Sequence, residues 1–216
     1  MWVLTVDQVA SRQVGDRVEH LLAALQEVGP LAGDAGGRGT VRPFERTAGD
    51  EVQAVMSDPR LVTDVALHLA HLREWSIGIG CGQVDEPLPE HARAGSGPAF
   101  FAARDAVNAV KAGRRRSRSR IAVRGPNPDL ASEAESIFAL LGALDDRRTT
   151  EGHAVIDRML DMGGAIRQED LASELGITQQ AVSARLRAAM WSEELAARPA
   201  AARLLSLADQ GERTDR

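Results

Sequence analysis

The sequence predicts an α+β fold: a sheet covered by helices over residues 1–124, followed by an all-helical C-terminal part. Three observations predict it. Short apolar or alternating runs interleave with amphipathic helical repeats over the first 124 residues, in the order β-α-ββ-α-β-α-β. Pro126 and Pro128 follow Gly125 and mark a boundary. Beyond them the hydrophobic spacing is helical throughout.

Each element has its own warrant. Residues 3–6 form a short apolar run that ends at Asp7, as suits a buried strand. Residues 16–28 predict a helix, with Val18, Leu21, Leu22, Leu25 and Val28 at helical spacing. Residues 30–39 read as a glycine-rich loop. Residues 41–47 and 52–56 read as a hairpin around the tight turn Ala48-Gly49-Asp50-Glu51. Leu61, Val65, Leu69 and Leu72 mark a helix over 61–72. Residues 75–84 form a glycine-punctuated strand, 99–111 a helix and 120–123 a last strand. Residues 125–150 read as a linker and connecting helix, capped by Asp129 or Ser132 and running to Leu144. Thr149 or Thr150 caps the next helix, which reaches Met162 and stops at Gly163-Gly164.

Residues 151–216 are expected to form a helix-turn-helix domain. The segment from Gln168 to Ala189 reads QEDLASELGITQQAVSARLRAA. Ala172 is small where two helices must cross closely, and Gly176 permits the positive φ of the turn. Ile177 plugs the space between the helices, and Thr178 caps the second one. Val182, Leu186 and Ala189 then repeat on an inward face, while Gln180, Ser183 and Arg187 lie opposite, with Gln179 beside them. The expected contacts to double-stranded DNA are therefore Thr178, Gln179, Gln180, Ser183, Arg185 and Arg187, with Arg185 on phosphate and Arg187 on phosphate or base. The spacing is similar to the helix-turn-helix of bacterial regulators. Glu169, Asp170 and Glu174 on the first helix leave room for another reading, a helical adaptor that binds protein.

Two carboxylate positions stand out earlier in the chain. Asp7 ends the first strand, and Asp50 and Glu51 lie in the hairpin turn. Converging carboxylates bind Mg²⁺, and Mg²⁺ binds nucleotide phosphates. The element order, the Gly49-Asp50-Glu51 turn, the strand SIGIG at 76–80 and the helix ending AVKAGR at 109–114 resemble the nucleotidyl-cyclase and diguanylate-cyclase domain. That resemblance implies a ferredoxin-like palm sheet, metal held by Asp7 with Asp50 or Glu51, and Lys111 and Arg114 near a nucleotide's phosphates. Asp7 is followed by Gln8 and Val9, and Ala48 stands where those cyclases begin the turn with glycine. These departures favour a palm that binds a nucleotide or dimerises over one that cyclises it. Taken whole, with VDQVASR, GDEVQAV, SIGIGCG, GSGPAFFAARDAV and LGITQQAVSARLRAA, the chain resembles the SatD family.

Composition narrows the classes. The hydrophobic fraction of 44% suffices for a core, and aromatics at 3% leave aliphatic residues to fill it. A single cysteine, Cys81, excludes an intramolecular disulfide framework, and in its apolar strand it is expected to be inert. No apolar run is long enough to span a bilayer, and the start lacks a cationic leader, so a cytoplasmic protein with no membrane partner is expected. The net charge is −5, yet Lys111, Arg114, Arg115, Arg116, Arg118, Arg120 and Arg124 form a run without an acid between them. The run reads either as a solvated loop or as a surface for nucleic acid or polyphosphate. Gly78, Gly80 and Gly82 are expected to let a helix approach the strand. His68 and His71 share a helix face without an evident third metal ligand. Ser96 is expected to cap the following helix, and Trp191 to cover the C-terminal core.

The favoured function is transcriptional regulation through DNA binding, with the palm sensing a nucleotide or holding a homodimer. The alternatives are a metal-dependent nucleotidyl cyclase or related nucleotidyltransferase and the protein-binding adaptor.

Overall fold

The computed structural model describes residues 1–27, 39–113, 119–162 and 166–211. Strand β1 (Trp2–Gln8) leads through a short helix α1 (Ser11–Val14) to α2 (Val18–Glu27). The hairpin β2 (Thr40–Ala48) and β3 (Glu51–Met56) precedes α3 (Pro59–His71), β4 (Trp75–Cys81), a 3-10 turn at Ala92–Ala94, α4 (Pro98–Gly113) and β5 (Ile121–Arg124). Five helices follow: α5 (Pro128–Asp146), α6 (Thr150–Asp161), α7 (Gln168–Glu174), α8 (Gln179–Ala188) and α9 (Trp191–Ala208).

The sheet has the order β2-β3-β1-β4-β5. β1 lies antiparallel between β3 and β4, β2 pairs antiparallel with β3, and β5 adds parallel to β4. The first four strands with their two crossing helices are the split β-α-β arrangement of ferredoxin-like folds. The α+β class read from the sequence is the class observed.

Both faces of the sheet are covered, which is why β1 is buried along its whole length. Trp2, Leu4, Val6, Val52, Ala54, Met56, Ile77, Ile79, Ile121 and Val123 face one side, where α2, α3, α5 and α9 supply Leu21, Val65, Leu69, Phe138, Leu141 and Leu205. The alternate residues Val3, Val55 and Ala122 face α4, through Ala99, Ala103, Ala106 and Val110. α4 lies almost directly on β4. A Cβ at Gly78 would stand 2.3 Å from the Ala103 carbonyl oxygen, and one at Gly80 2.1 Å from that of Ala99. Glycine at these alternate positions is what admits the helix backbone.

Helix starts follow local chemistry. Asp58 accepts from the Arg60 N–H ahead of Pro59, and Asn127 from the Leu130 N–H ahead of Pro128. Proline in the first turn needs no amide partner and has the helical φ already set, so α3 and α5 begin earlier than their apolar periodicity suggests. Asn127, rather than Asp129 or Ser132, is thus the cap of α5. Thr149 caps α6 through the Gly152 N–H at 3.1 Å. β4 stops at Cys81 instead of reaching Val84, because Gly82 turns the chain at φ 137°. Ser96 does not cap α4: its hydroxyl donates to Asp85 at 2.7 Å. The expected stop at Gly163-Gly164 and most of the loop expected at 30–39 lie outside the described residues.

α6, α7 and α8 surround a separate small core of Val155, Met159, Leu171, Ala172 and Val182, with Ile177, Leu186 and Trp191 packed against it. α9 then carries the chain back to the sheet. Its residues Ala201, Leu205 and Ala208 belong to the main core, and the Trp2 indole N–H donates to the Leu205 carbonyl at 3.4 Å.

Candidate functional site

The end of β1 and the β2–β3 turn meet at one edge of the sheet. Asp7 is paired with Glu51 in the antiparallel register, and the Gln8 N–H donates to the Asp50 carbonyl at 3.2 Å. After Gln8 the chain bends through Ala10 at φ 56° into α1, which sets Ser11 over the turn. The Gln8 side chain holds that bend, donating to Gly15 O and accepting from Arg17 N. The result is an open groove of about 780 Å³ lined by Asp7, Gln8, Ser11, Arg46, Asp50 and Lys111, among others.

Each carboxylate here has its own partner. Lys111, from the last turn of α4, donates from Nζ to Asp7 Oδ1 at 2.7 Å. Asp50 accepts from the Ser11 hydroxyl. Glu51 accepts from the Thr47 hydroxyl at 2.7 Å and does not line the groove. Arg46 bonds Asp16 at 2.7 Å and the Gly49 carbonyl at 2.7 Å, clasping the turn from outside. Its guanidinium, with the Val18 N–H, holds the Asp16 carboxyl below the ordinary range. The structure therefore brings Asp7, Asp50 and Lys111 to one groove. Arg114 lies outside the described residues, as do Arg115, Arg116 and Arg118. Of the rest of the cationic run, Arg120 pairs with Asp146 and Arg124 with Glu135. Gln8, Ser11 and Arg46 carry no local sequence signal as groove residues, because only the bend after β1 and the sheet register carry them there.

A second constellation is the pair α7 and α8. The turn between them closes with the Gly176 N–H on Ser173 O and the Ile177 N–H on Ala172 O, and Gly176 takes φ 63°. This is the paired-bond stop in which a left-handed glycine ends a helix. Thr178 accepts from the Ala181 N–H at 3.1 Å and starts α8. Val182 is fully buried beneath it. Thr178, Gln179, Gln180 and Arg187 are exposed, while Ser183 and Arg185 are half-buried. Arg158 and Arg167 pair with Glu174 and Asp170 on α7.

A third cluster joins α3, α5 and α6. The His71 ring meets Asp145 through Nδ1 at 2.7 Å and Asp157 through Nε2 at 2.5 Å. Burial would lower its pKa, but these two hydrogen bonds raise it to about 9. Burial likewise opposes ionisation of Asp145, and the bond to His71 and its charge hold that carboxyl below its usual range. His153 stacks obliquely on His71 with ring centroids 5.2 Å apart and has its pKa lowered, first by burial. Arg148, whose side chain is 2% exposed, donates to Asp145 at 3.0 Å and to Glu194 at 2.5 Å. Arg198 adds bonds to Glu194 and Asp64, and both guanidiniums stand over Trp191, at 5.6 and 5.1 Å. His68, the other histidine of the pair on α3, stays apart. Burial, then the neighbouring His71, lowers its pKa to about 4, and its Nδ1 has no hydrogen-bond partner among the described residues. The side chains that gather around His71 thus come from α5 and α6, too far along the chain for any spacing rule to find them.

Among the described residues, no helix is long and apolar enough to cross a membrane. Comparison with curated proteins and with solved structures gives no match. The sequence model of the SatD family matches residues 3–205, nearly the whole chain. On that match, spanning the sheet and the C-terminal helices alike, the chain belongs to the SatD family.

Proposed function

We propose that this protein is a cytoplasmic DNA-binding regulator in which α7 and α8 act as a helix-turn-helix. The sheet domain is then a palm-type unit that senses a nucleotide or holds a homodimer. The observation that carries the reading is α8 itself. It is capped by Thr178, anchored by Val182 and free of carboxylates, and it presents Gln179, Gln180 and Arg187 outward. Glutamine and arginine are the side chains that make paired hydrogen bonds to base edges in a major groove. Ser183 and Arg185, lower on the helix, suit the adjoining backbone. A homodimer follows from the way such modules read paired half-sites.

The test is fluorescence-anisotropy titration of pooled genomic duplexes across a salt series. Wild type is expected to bind with an affinity that falls as salt rises. The Gln180→Ala/Arg187→Ala double variant is expected to bind at least tenfold more weakly. No binding at low salt, with or without a nucleoside triphosphate and Mg²⁺, overturns the proposal and leaves the protein-binding adaptor reading.

A second reading is favoured by the groove, where Asp7, Asp50 and Lys111 meet. Two carboxylates and an amine suit a nucleotide whose phosphates arrive with Mg²⁺, the ion supplying charge neutralisation there. If this groove turns nucleotides over, as a cyclase or nucleotidyltransferase, Asp7→Ala and Asp50→Ala abolish Mg²⁺-dependent turnover while duplex binding survives.

A further inference from the structure

We infer that His71, Asp145 and His153 form a site for a divalent first-row transition ion, with Asp157 holding the His71 ring from behind. Their ligand atoms, one from each residue, all lie within 4.8 Å of one another. Two imidazoles and one carboxylate are the donor set that suits zinc and its neighbours, whereas magnesium and calcium prefer oxygen alone. The arrangement behind the ligands fits as well. Asp157 takes His71 Nε2 at 2.5 Å, which leaves Nδ1 facing Asp145. A carboxylate on the far nitrogen is the usual support of a metal-bound histidine, because it fixes both tautomer and ring orientation. Asp145 Oδ2 is buried and makes no hydrogen bond to the described residues, so one oxygen of the central carboxylate has spare capacity. The ion takes the place of the proton between His71 and Asp145, which leaves to solvent. It also displaces Arg73, a half-exposed cation whose guanidinium now stands 2.8 Å from His153 Nε2 and 3.6 Å from Asp145 Oδ2. Arg148 keeps its bond to Asp145 Oδ1.

The placement gives the site a consequence. His71 ends α3 on the sheet, Asp145 lies in the last turn of α5, and His153 and Asp157 belong to α6, the first helix of the small C-terminal core. An ion there bonds that core to the sheet's helices.

The experiment is isothermal titration of the metal-stripped full chain with Zn²⁺, with Co²⁺ as a spectroscopic probe. Wild type is expected to bind one Zn²⁺ per chain and to give the visible absorption of four-coordinate Co²⁺. His153→Gln, at a partly exposed position, is expected to keep the circular dichroism of the wild type and to lose both signals. His91→Gln, at an exposed histidine elsewhere, is expected to keep both signals. Absence of stoichiometric binding to folded wild type overturns the inference, and so does binding that survives His153→Gln.

Discussion

Gly78 and Gly80 show how much a single residue decides in this chain. Each lies where a Cβ would overlap the backbone of α4, so hydrogen is the only side chain the interface admits. Read in the sequence, these glycines could be confused with a dinucleotide loop. The absence of an immediately following helix argues otherwise, and the packing bears that out. His68 works in the opposite way, as a polar residue in a place that disfavours its charge. Its folded pKa is about 4, below the ordinary value near 6.5. The unfolded chain therefore binds the extra proton first, and stability falls as pH drops from about 6.5 towards 4, by up to about 3 kcal/mol. His68→Leu is expected to remove that slope. Urea denaturation of both proteins at pH 7 and at pH 4.5 checks it: the variant's advantage should be larger at the lower pH. Equal differences at both pH values would show that His68 keeps its ordinary pKa.

At the scale of the element, boundaries follow caps more than periodicity. The threonines before α6 and α8 were legible because the cap is a local bond, from a side chain to an amide two or three residues on. The starts of α3 and α5 were less so, since Asp58-Pro59 and Asn127-Pro128 precede the apolar repeat. Thr178→Ala removes the acceptor of the Ala181 N–H and is expected to cost about 1 kcal/mol. The loss should be confined to α8. Hydrogen exchange is expected to quicken in its first turn while the amides of β1 and β4 stay protected. Uniform loss of protection would mean that α8 and the sheet unfold as one unit.

At the scale of the molecule, α9 links the small C-terminal core to the sheet. α9 starts at Trp191 against the small core and finishes at Ala208 against the sheet, where Asp209 pairs with the N-terminal ammonium at 3.1 Å. Between these ends, the buried pair Arg148 and Glu194 is extended by Asp145 and Arg198, and Arg198 reaches the more exposed Asp64. Leu205 is fully buried in the sheet's core although it lies near the end of the described chain. Leu205→Ala is expected to cost 2–5 kcal/mol, the range for a large-to-small change in a core, and to lower the urea midpoint of the sheet. A change below about 1 kcal/mol would mean that α9 contributes little to that core.

The sequence by itself determined the α+β class, most of the elements and the likeness to the SatD family, because periodicity, caps and glycine placement are local properties of the chain. It also singled out Asp7, Asp50 and Glu51, and through the cyclase resemblance Lys111, but the fold decided that Asp7, Asp50 and Lys111 meet in one groove while Glu51 does not line it. Only the tertiary structure decided which carboxylate has which partner: Asp7 with Lys111, Asp50 with Ser11, Glu51 with Thr47. It alone gathered His71, Asp145, His153 and Asp157 from three helices, and it alone carried α9 back to the sheet. The physical reason is the same in each case. Such contacts join residues far apart in the chain, and what brings them together is the packing of apolar faces, which fixes the position of a polar side chain without leaving a trace in its neighbours along the sequence.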